Sequence, residues 1–190
     1  MRAIRFDRAH RRAALGAAAL GVILGLGCGK NRVILNVDVL SFMDASQKSQ
    51  PYDAPPLVPK STQLDPIAVN LVEGYQDFGL AQEATLDVGL DYDNQTGQGV
   101  GTFQLYFSDD ASQVYSTTPV SQFDVDLVPS TLTHGGVTLQ LDQRLLDLFT
   151  SKHFFMGVGM TWTPQATDPL QGTCVISKID VRMVSTLNVF

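Results

Sequence analysis

The chain has 190 residues, with 13 basic side chains, 19 acidic side chains and two cysteines. This length suits a single domain, and two cysteines exclude a framework of several disulfides. An acidic chain lacks the basic surface that nucleic acids require, so nucleic-acid binding is also disfavoured.

The first 27 residues have the pattern of an export signal. Residues 1–12 hold five arginines and one aspartate, and residues 13–27 carry no charge. A basic segment followed by an apolar run that ends in small residues is typical of a secretory signal. The run is shorter than the roughly 20 apolar residues that span a bilayer. We therefore expect residues 1–27 to be a signal helix that is removed on export.

A cysteine follows the apolar run directly. The sequence Gly25-Leu26-Gly27-Cys28 resembles the lipobox of bacterial lipoproteins, in which a small residue precedes the modified cysteine. The resemblance implies cleavage between Gly27 and Cys28 and lipid attachment to the Cys28 sulfur. Residues 28–32 would then be a short tether, and the lipid would hold the protein on a membrane of the cell envelope, facing the periplasm or the exterior.

Two other export routes remain open. Gly25 and Gly27 also satisfy an ordinary signal peptidase, which would release a soluble secreted protein and allow a disulfide between Cys28 and Cys174. The pair Arg11-Arg12 suits the twin-arginine route, which exports folded proteins. If Cys28 carries lipid, Cys174 has no partner in the chain, and its place in an apolar run predicts a buried thiol.

The mature chain is more acidic than the precursor. Without residues 1–27 it keeps eight basic and 18 acidic residues, a net charge of −10. Such a charge disfavours electrostatic binding to anionic lipid. Contact with the membrane would therefore depend on the N-terminal lipid.

Residues 33–190 are predicted to form one β domain. Most of the expected strands show the alternation of apolar and polar residues that marks a half-buried sheet. The clearest is 85–92, and the polar turn at 93–99 predicts a hairpin with 100–108. Further strands are expected at 33–40, 67–72, 114–116, 122–128, 136–141, 154–163 and 173–188, the last with a bend or bulge near Ser185.

A proline-rich strap is expected at residues 45–66. It carries five prolines among serine, glutamine and aspartate. Proline lacks the amide donor that a sheet ladder uses and does not fit a helix interior. We therefore expect an extended loop here, without helix or strand.

One short helix is predicted at 142–151. Leu145, Leu146, Leu148 and Phe149 form a helical stripe behind Asp142, a suitable N-cap. About nine strands and one helix indicate an all-β fold, an Ig-like or jelly-roll-like antiparallel β-sandwich, with a closed barrel as the alternative. The order of elements is loosely similar to Ig-like modules of bacterial envelope proteins. In this arrangement the leucine stripe would cover an open end of the sandwich, beside a central strand at 154–162.

The metal-ligand pattern is weak. Oxygen side chains alternate from Asp91, but an EF-hand loop starting there needs glycine at the sixth place and glutamate at the twelfth. Threonines stand at both places, Thr96 and Thr102. We interpret Asp91–Gly97 as a polar turn and expect neither zinc nor calcium, nor any other cofactor.

Catalytic patterns are also weak. His134 is expected in a turn before two glycines, and His153 in a structural hydrogen bond. Neither a nucleophile elbow nor a phosphate-binding loop is present in the sequence. A hydrolase that uses aspartates is therefore the third hypothesis, and we expect no enzyme.

Aromatic side chains offer a different function. Exposed rings on a sandwich can stack on sugars, and Trp162 and Tyr106 are the candidates for such a platform. The alternation around Trp162 instead predicts that it lies in the core. The first hypothesis is a membrane-anchored structural or protein-contact module, with an envelope protein as partner. The alternative is a module that binds a glycan or another ligand.

Overall fold

The computed structural model describes residues 22–24, 31–71, 81–151 and 153–187. The predicted lipidation site, Cys28, and most of the predicted signal lie outside the described residues. Residues 22–24 are an exception to the expected signal helix, because they form a short strand that pairs with 33–35.

Two antiparallel sheets pack face to face, which confirms the predicted β-sandwich. Sheet A contains β1 (Val22–Leu24), β2 (Asn31–Asp38), β3 (Ser49–Ala54), β6 (Ala81–Thr96), β9 (Thr131–Gln140) and β11 (Leu170–Leu187). Sheet B contains β4 (Lys60–Gln63), β5 (Ile67–Asn70), β7 (Gly99–Ser108), β8 (Ser121–Leu127) and β10 (His153–Pro164).

The last two strands, β10 and β11, each pair with three other strands of their sheet. Sheet A has the order β1-β2-β11-β6-β9, and β3 pairs with the first six residues of β11. Sheet B has the order β4-β10-β7-β8, and β5 pairs with the first residues of β10. The expected irregularity of the last strand is confirmed, since the register between β11 and β6 shifts at Val184/Ser185.

β6 shows why the alternation of apolar residues predicted the core correctly. Leu86, Val88, Leu90 and Tyr92 point into the sandwich and are at most 2% exposed. Asp87 and the other residues between them point outward. Burial of such a row gives the sandwich most of its stability, because each large apolar side chain contributes about 1.5–3 kcal/mol.

The predicted hairpin between 85–92 and 100–108 is wrong. β6 pairs with β11 and β9 in sheet A, whereas β7 pairs with β10 and β8 in sheet B. The chain therefore crosses from one sheet to the other at residues 97–98. Gly97 makes the crossing possible with φ of 73°, and a Cβ atom there would lie 2.4 Å from the Pro169 carbonyl oxygen.

The strap at 45–66 is more regular than expected. It contains a short helix, α1 (Ala45–Lys48), and the strands β3 and β4. Proline is tolerated because β3 is an edge strand, where a missing amide donor breaks no ladder. Pro51 lies opposite Thr173 there. The strap thus covers the edge of sheet A and then that of sheet B.

Another expected strand, 114–116, is instead part of a 3-10 helix, Ala111–Ser116. Asp110 caps this helix by accepting a hydrogen bond of 2.8 Å from the Ser112 amide. A second 3-10 helix, Val39–Phe42, follows β2.

The expected helix is confirmed as α2 (Gln143–Thr150), and the Asp142 carboxylate accepts a hydrogen bond of 2.9 Å from the Leu145 amide. Its stripe covers one end of the core as predicted, because Leu145, Leu146 and Phe149 are at most 5% exposed. β10 is the central strand of sheet B, also as predicted.

Candidate binding surface

The aromatic platform expected from the sequence does not form. Trp162 is 1% exposed and stacks on Tyr52, with ring centroids 5.2 Å apart and an interplanar angle of 16°. It lies on the inward face of β10 because it alternates in phase with the apolar residues of that strand. It is therefore unavailable to stack on a sugar, and this expectation is corrected.

Tyr106 is outward-facing but covered. It is 7% exposed, and its ring meets the edge of Tyr115 at a centroid distance of 5.3 Å. Tyr115 is held in place by the Val158 amide, which donates to its hydroxyl at 3.1 Å. Gly157 makes room for this ring, because a Cβ atom there would lie 2.9 Å from it. Tyr106 is thus a structural residue, and its predicted stacking role is also corrected.

The predicted polar turn at Asp91 is part of strand β6. Asp91 and Asp93 point outward, whereas Tyr92 and Asn94 are fully buried. Alternation along the strand sends neighbouring side chains to opposite faces, so the oxygen atoms of this segment do not converge. Within the described ranges, no three His, Cys, Asp or Glu side chains gather in a way that could hold a metal ion.

The two candidate histidines, His134 and His153, lie in different sheets. His134 belongs to β9 rather than to a turn, and its Nδ1 lies 2.5 Å from an Asp91 carboxylate oxygen on the exposed face. His153 makes the expected structural hydrogen bond, with Nδ1 at 2.6 Å from the Asn70 side-chain oxygen. Since these pairs belong to separate sheets, they do not form one cleft.

The buried thiol is confirmed. Cys174 is fully buried in β11, and burial raises the pKa of its thiol to about 12. The same end of the core holds a buried polar contact, in which the Tyr52 hydroxyl donates to the Asn94 side-chain oxygen at 3.0 Å. Asn94 in turn donates to the Gly97 carbonyl oxygen at 2.8 Å. These bonds fix the crossing between the sheets.

On the outer face of sheet A, charged side chains of several strands meet around a groove. The groove has a volume of about 410 Å³. Its side chains come from four neighbouring strands: Asn36 and Asp38 from β2, Lys178, Asp180 and Arg182 from β11, Thr85 and Asp87 from β6, and Thr138 from β9. We call this set the sheet A groove.

Strand register places three carboxylates in one row of the groove. Asp180 lies directly opposite both Asp38 and Asp87. Lys178 donates a short hydrogen bond to Asp87 and lies 3.8 Å from Asp180. The Thr138 hydroxyl donates to Asp87 at 3.1 Å. One ammonium group therefore serves two carboxylates of the row.

The pKa values of two carboxylates in this row, Asp87 and Asp180, are shifted in opposite directions. The hydrogen bond from Lys178 holds the pKa of Asp87 below its ordinary value. Burial raises the pKa of Asp180, and the nearby Asp38 and Asp87 carboxylates raise it further. An ionised Asp180 is therefore less stable than an exposed carboxylate, and a cationic or hydrogen-bond-donating partner would relieve this cost.

The sequence carries a partial signal for the sheet A groove. Asp38, Asp87 and Asp180 each occupy a polar position of an alternating strand, which places them on outward faces. Their proximity depends on the strand order β2-β11-β6, which alternation alone does not give.

The chain matches no protein-family model and no curated protein. Among solved structures it is similar to a putative secreted protein from Parabacteroides distasonis ATCC 8503, at 11% identity and a TM-score of 0.41, over 68% of this chain and 39% of that chain. It is also similar to a carbohydrate-binding module, CBM28, specific for non-crystalline cellulose, at 10% identity and a TM-score of 0.41, over 83% and 78% of the chains.

A third similar structure is infectious bursal disease virus, Gx strain, at 5% identity and a TM-score of 0.42, over 88% of this chain and 43% of that chain. The chain spans less than half the length of the first and third of these proteins. Likeness at this level assigns no function. No helix in the described residues is long and apolar enough to cross a membrane.

Proposed function

We propose that this chain is an exported, lipid-anchored β-sandwich without catalytic activity, which binds another envelope protein through the outer face of sheet A. The sheet A groove is the observation that supports this proposal most strongly. Its charged side chains are spread over an accessible surface of three neighbouring strands, while the interior of the sandwich is almost wholly apolar.

The arrangement of polar groups favours contact over catalysis. A general base or nucleophile acts at close range and with a shifted pKa, usually in a cleft that excludes water. The His134–Asp91 pair instead lies on an open strand surface, where 72% of the His134 side chain is exposed. Charged groups on such a surface give specificity and faster association rather than chemistry.

The anchor is proposed from the sequence and from the state of the second cysteine. Cys174 is buried with a raised pKa, so it is a poor substrate for acylation. Cys28, which follows the apolar run, is then the thiol that would carry lipid. Stable anchoring needs more than one acyl chain.

The anchor is tested with two single-cysteine variants. Cys28→Ala should leave an unprocessed precursor or a protein that no longer partitions into detergent, whereas Cys174→Ala should partition like the parent. Intact mass of the mature parent should show a chain that starts at residue 28 and carries acyl groups. A mature chain without acyl groups would refute the anchor.

The contact surface is tested by photocrosslinking in intact cells. A photoreactive residue in place of Arg182 should give a specific adduct with an envelope protein. The same residue in place of Gln122, an exposed position on the outer face of sheet B, is the control and should not. Equal adducts at both positions, or none at either, would refute the proposed surface.

Glycan binding is a second candidate because of the chemistry of the same groove. Carboxylate, guanidinium and amide groups such as those of Asp180, Arg182 and Asn36 all pair with sugar hydroxyls. The loss of both aromatic candidates, Trp162 and Tyr106, weakens this candidate. Retardation of the parent in gels that contain envelope polysaccharide, abolished by Arg182→Ala, would favour the glycan over a protein partner.

A further inference from the structure

The edges of the two sheets differ in how they are protected. Proteins commonly protect edge strands with charges, prolines or very short strands, because an open edge can pair with another chain. β3 has Pro51 and Asp53, β8 has Asp124 and Asp126, and β4 and β5 have four residues each. β2 carries two charged residues, Arg32 and Asp38, which remain after the proposed removal of residues 1–27.

β9 has none of these features. It is ten residues long, Thr131–Gln140, and contains no proline, aspartate, glutamate, lysine or arginine. It pairs with β6 over all ten residues without a register shift, so no bulge twists it away. No other strand in the described part of the chain pairs with its second edge.

We propose that two copies of this chain pair antiparallel through the free edge of β9 and join their sheets A into one continuous sheet. A two-fold axis perpendicular to the sheet relates identical edges in this way and keeps the outer faces on the same side. With the axis at Gly136, glycine lies opposite glycine, and nine residues of each strand overlap.

Charge favours a second copy at this edge over the others. The outward aspartates beside β9 are Asp87, Asp91 and Asp93 of β6. In the pair, the two β6 strands are three strand spacings apart, about 14 Å. That distance exceeds the Debye length of about 8 Å at physiological ionic strength, so the two acidic rows repel little. Pairing through β8 would instead bring Asp124 and Asp126 of both copies together.

Exposed apolar surface also points to β9. Leu132 is 62% exposed on the outer face of β9, and Val128, in the turn before this strand, is 48% exposed. In the proposed register Leu132 lies opposite Gln140 of the second copy, whose methylene groups cover it. The pairing therefore buries apolar surface and satisfies the backbone groups of the edge together.

The test uses complementary charges on the edge. Leu132→Lys/Gln140→Lys places like charges opposite each other, as does Leu132→Glu/Gln140→Glu. Each variant alone should associate roughly tenfold more weakly than the parent, because like charges oppose each other twice across the axis. A mixture of the two variants should associate again, since at both contact points a lysine of one variant then faces a glutamate of the other.

Sedimentation velocity of the full chain, purified from the expressing cells in detergent, measures the association. The control Gln122→Lys/Asp126→Lys adds lysines to β8 and should stay dimeric. A parent that does not dimerise, a lysine variant that dimerises as tightly as the parent, or a mixture that associates no more tightly than either variant alone would each overturn the proposal. The pairing through β9 does not depend on the lipid at Cys28. A protein that is dimeric but carries no acyl groups would therefore refute the proposed lipid anchor and leave the proposed dimer intact.

Discussion

Phe149 is the side chain by which α2 closes the end of the sandwich. It is fully buried, and its ring packs edge-on against Phe107 and Phe154, with centroid distances of 5.1 and 4.7 Å. Replacing Phe149 with alanine removes both contacts and leaves a cavity between the two sheets. We expect this variant to lose a large share of the stability of the domain.

The size of the loss can be estimated from these contacts. A buried Phe→Ala change costs about 3–5 kcal/mol, and an edge-to-face aromatic pair contributes about 0.5–1.5 kcal/mol of such a total. Two pairs place Phe149→Ala near 4 kcal/mol, against about 5–15 kcal/mol for a whole domain. With a urea slope of about 2 kcal/mol/M, the unfolding midpoint should fall by roughly 2 M.

Urea denaturation followed by far-UV circular dichroism measures this midpoint. Leu148→Ala, on the same helix but only half-buried, is the matched control and should lose less than about half as much. If Phe149→Ala and Leu148→Ala unfold together, within about 1 kcal/mol of the parent, α2 does not close the core and the reasoning is wrong.

Three further predictions follow from individual contacts. Gly157→Ala should lower the free energy of unfolding by about 1–3 kcal/mol in thermal melts, because its Cβ would lie 2.9 Å from the Tyr115 ring. Gly159→Ala should cost less, because its Cβ would meet the end of the flexible Gln104 side chain at 3.3 Å. At neutral pH Asp180→Asn should raise stability and Asp87→Asn lower it, because the folded protein raises the pKa of Asp180 and lowers that of Asp87. The contribution of Asp87 is present above its unfolded pKa of about 3.9 and is lost as the pH falls through the folded value, while the cost at Asp180 disappears once that group is protonated. The difference for Asp180 should therefore shrink as the pH falls towards about 3.9, and the difference for Asp87 as the pH falls below that value; melts that show neither change would contradict the assignment. Cys174 should resist thiol reagents until urea unfolds the domain, because its pKa is raised to about 12; peptide mapping that finds it labelled in the native protein would contradict this.

Sequence patterns predicted the faces of the strands but not their partners. The alternation in β6 and β7 placed Leu86 and Phe103 inside, and both are fully buried. Alternation is equally satisfied by two strands that pair in one sheet and by two that stack across the core. The polar residues after Tyr92 suggested a turn, whereas the strand continues to Thr96 and the chain then changes sheet. The sheet A groove was missed for the same reason, because it depends on strand order.

Local rules failed where a long-range contact decides the structure. Proline excluded strands from the strap in general, yet Pro51 is accommodated because its strand lies at an edge. The segment 114–116 has the composition of a strand, but Val114 and Tyr115 pack onto the glycine face of β10 as part of a 3-10 helix. Trp162 was assigned correctly to the core by its alternation and incorrectly to a binding platform by its residue type.

The place of β10 and β11 in the two sheets bears on the order in which the chain can fold. β2, β3 and β6 all pair with β11, and β4, β5 and β7 all pair with β10, so the central strand of each sheet comes after every one of these neighbours along the chain. During synthesis, at roughly 5–20 residues per second, these strands wait several seconds for the central strand of their sheet. Contacts that distant in sequence also form slowly, over milliseconds to seconds. Both sheets can therefore be completed only after β10 and β11 have been synthesised.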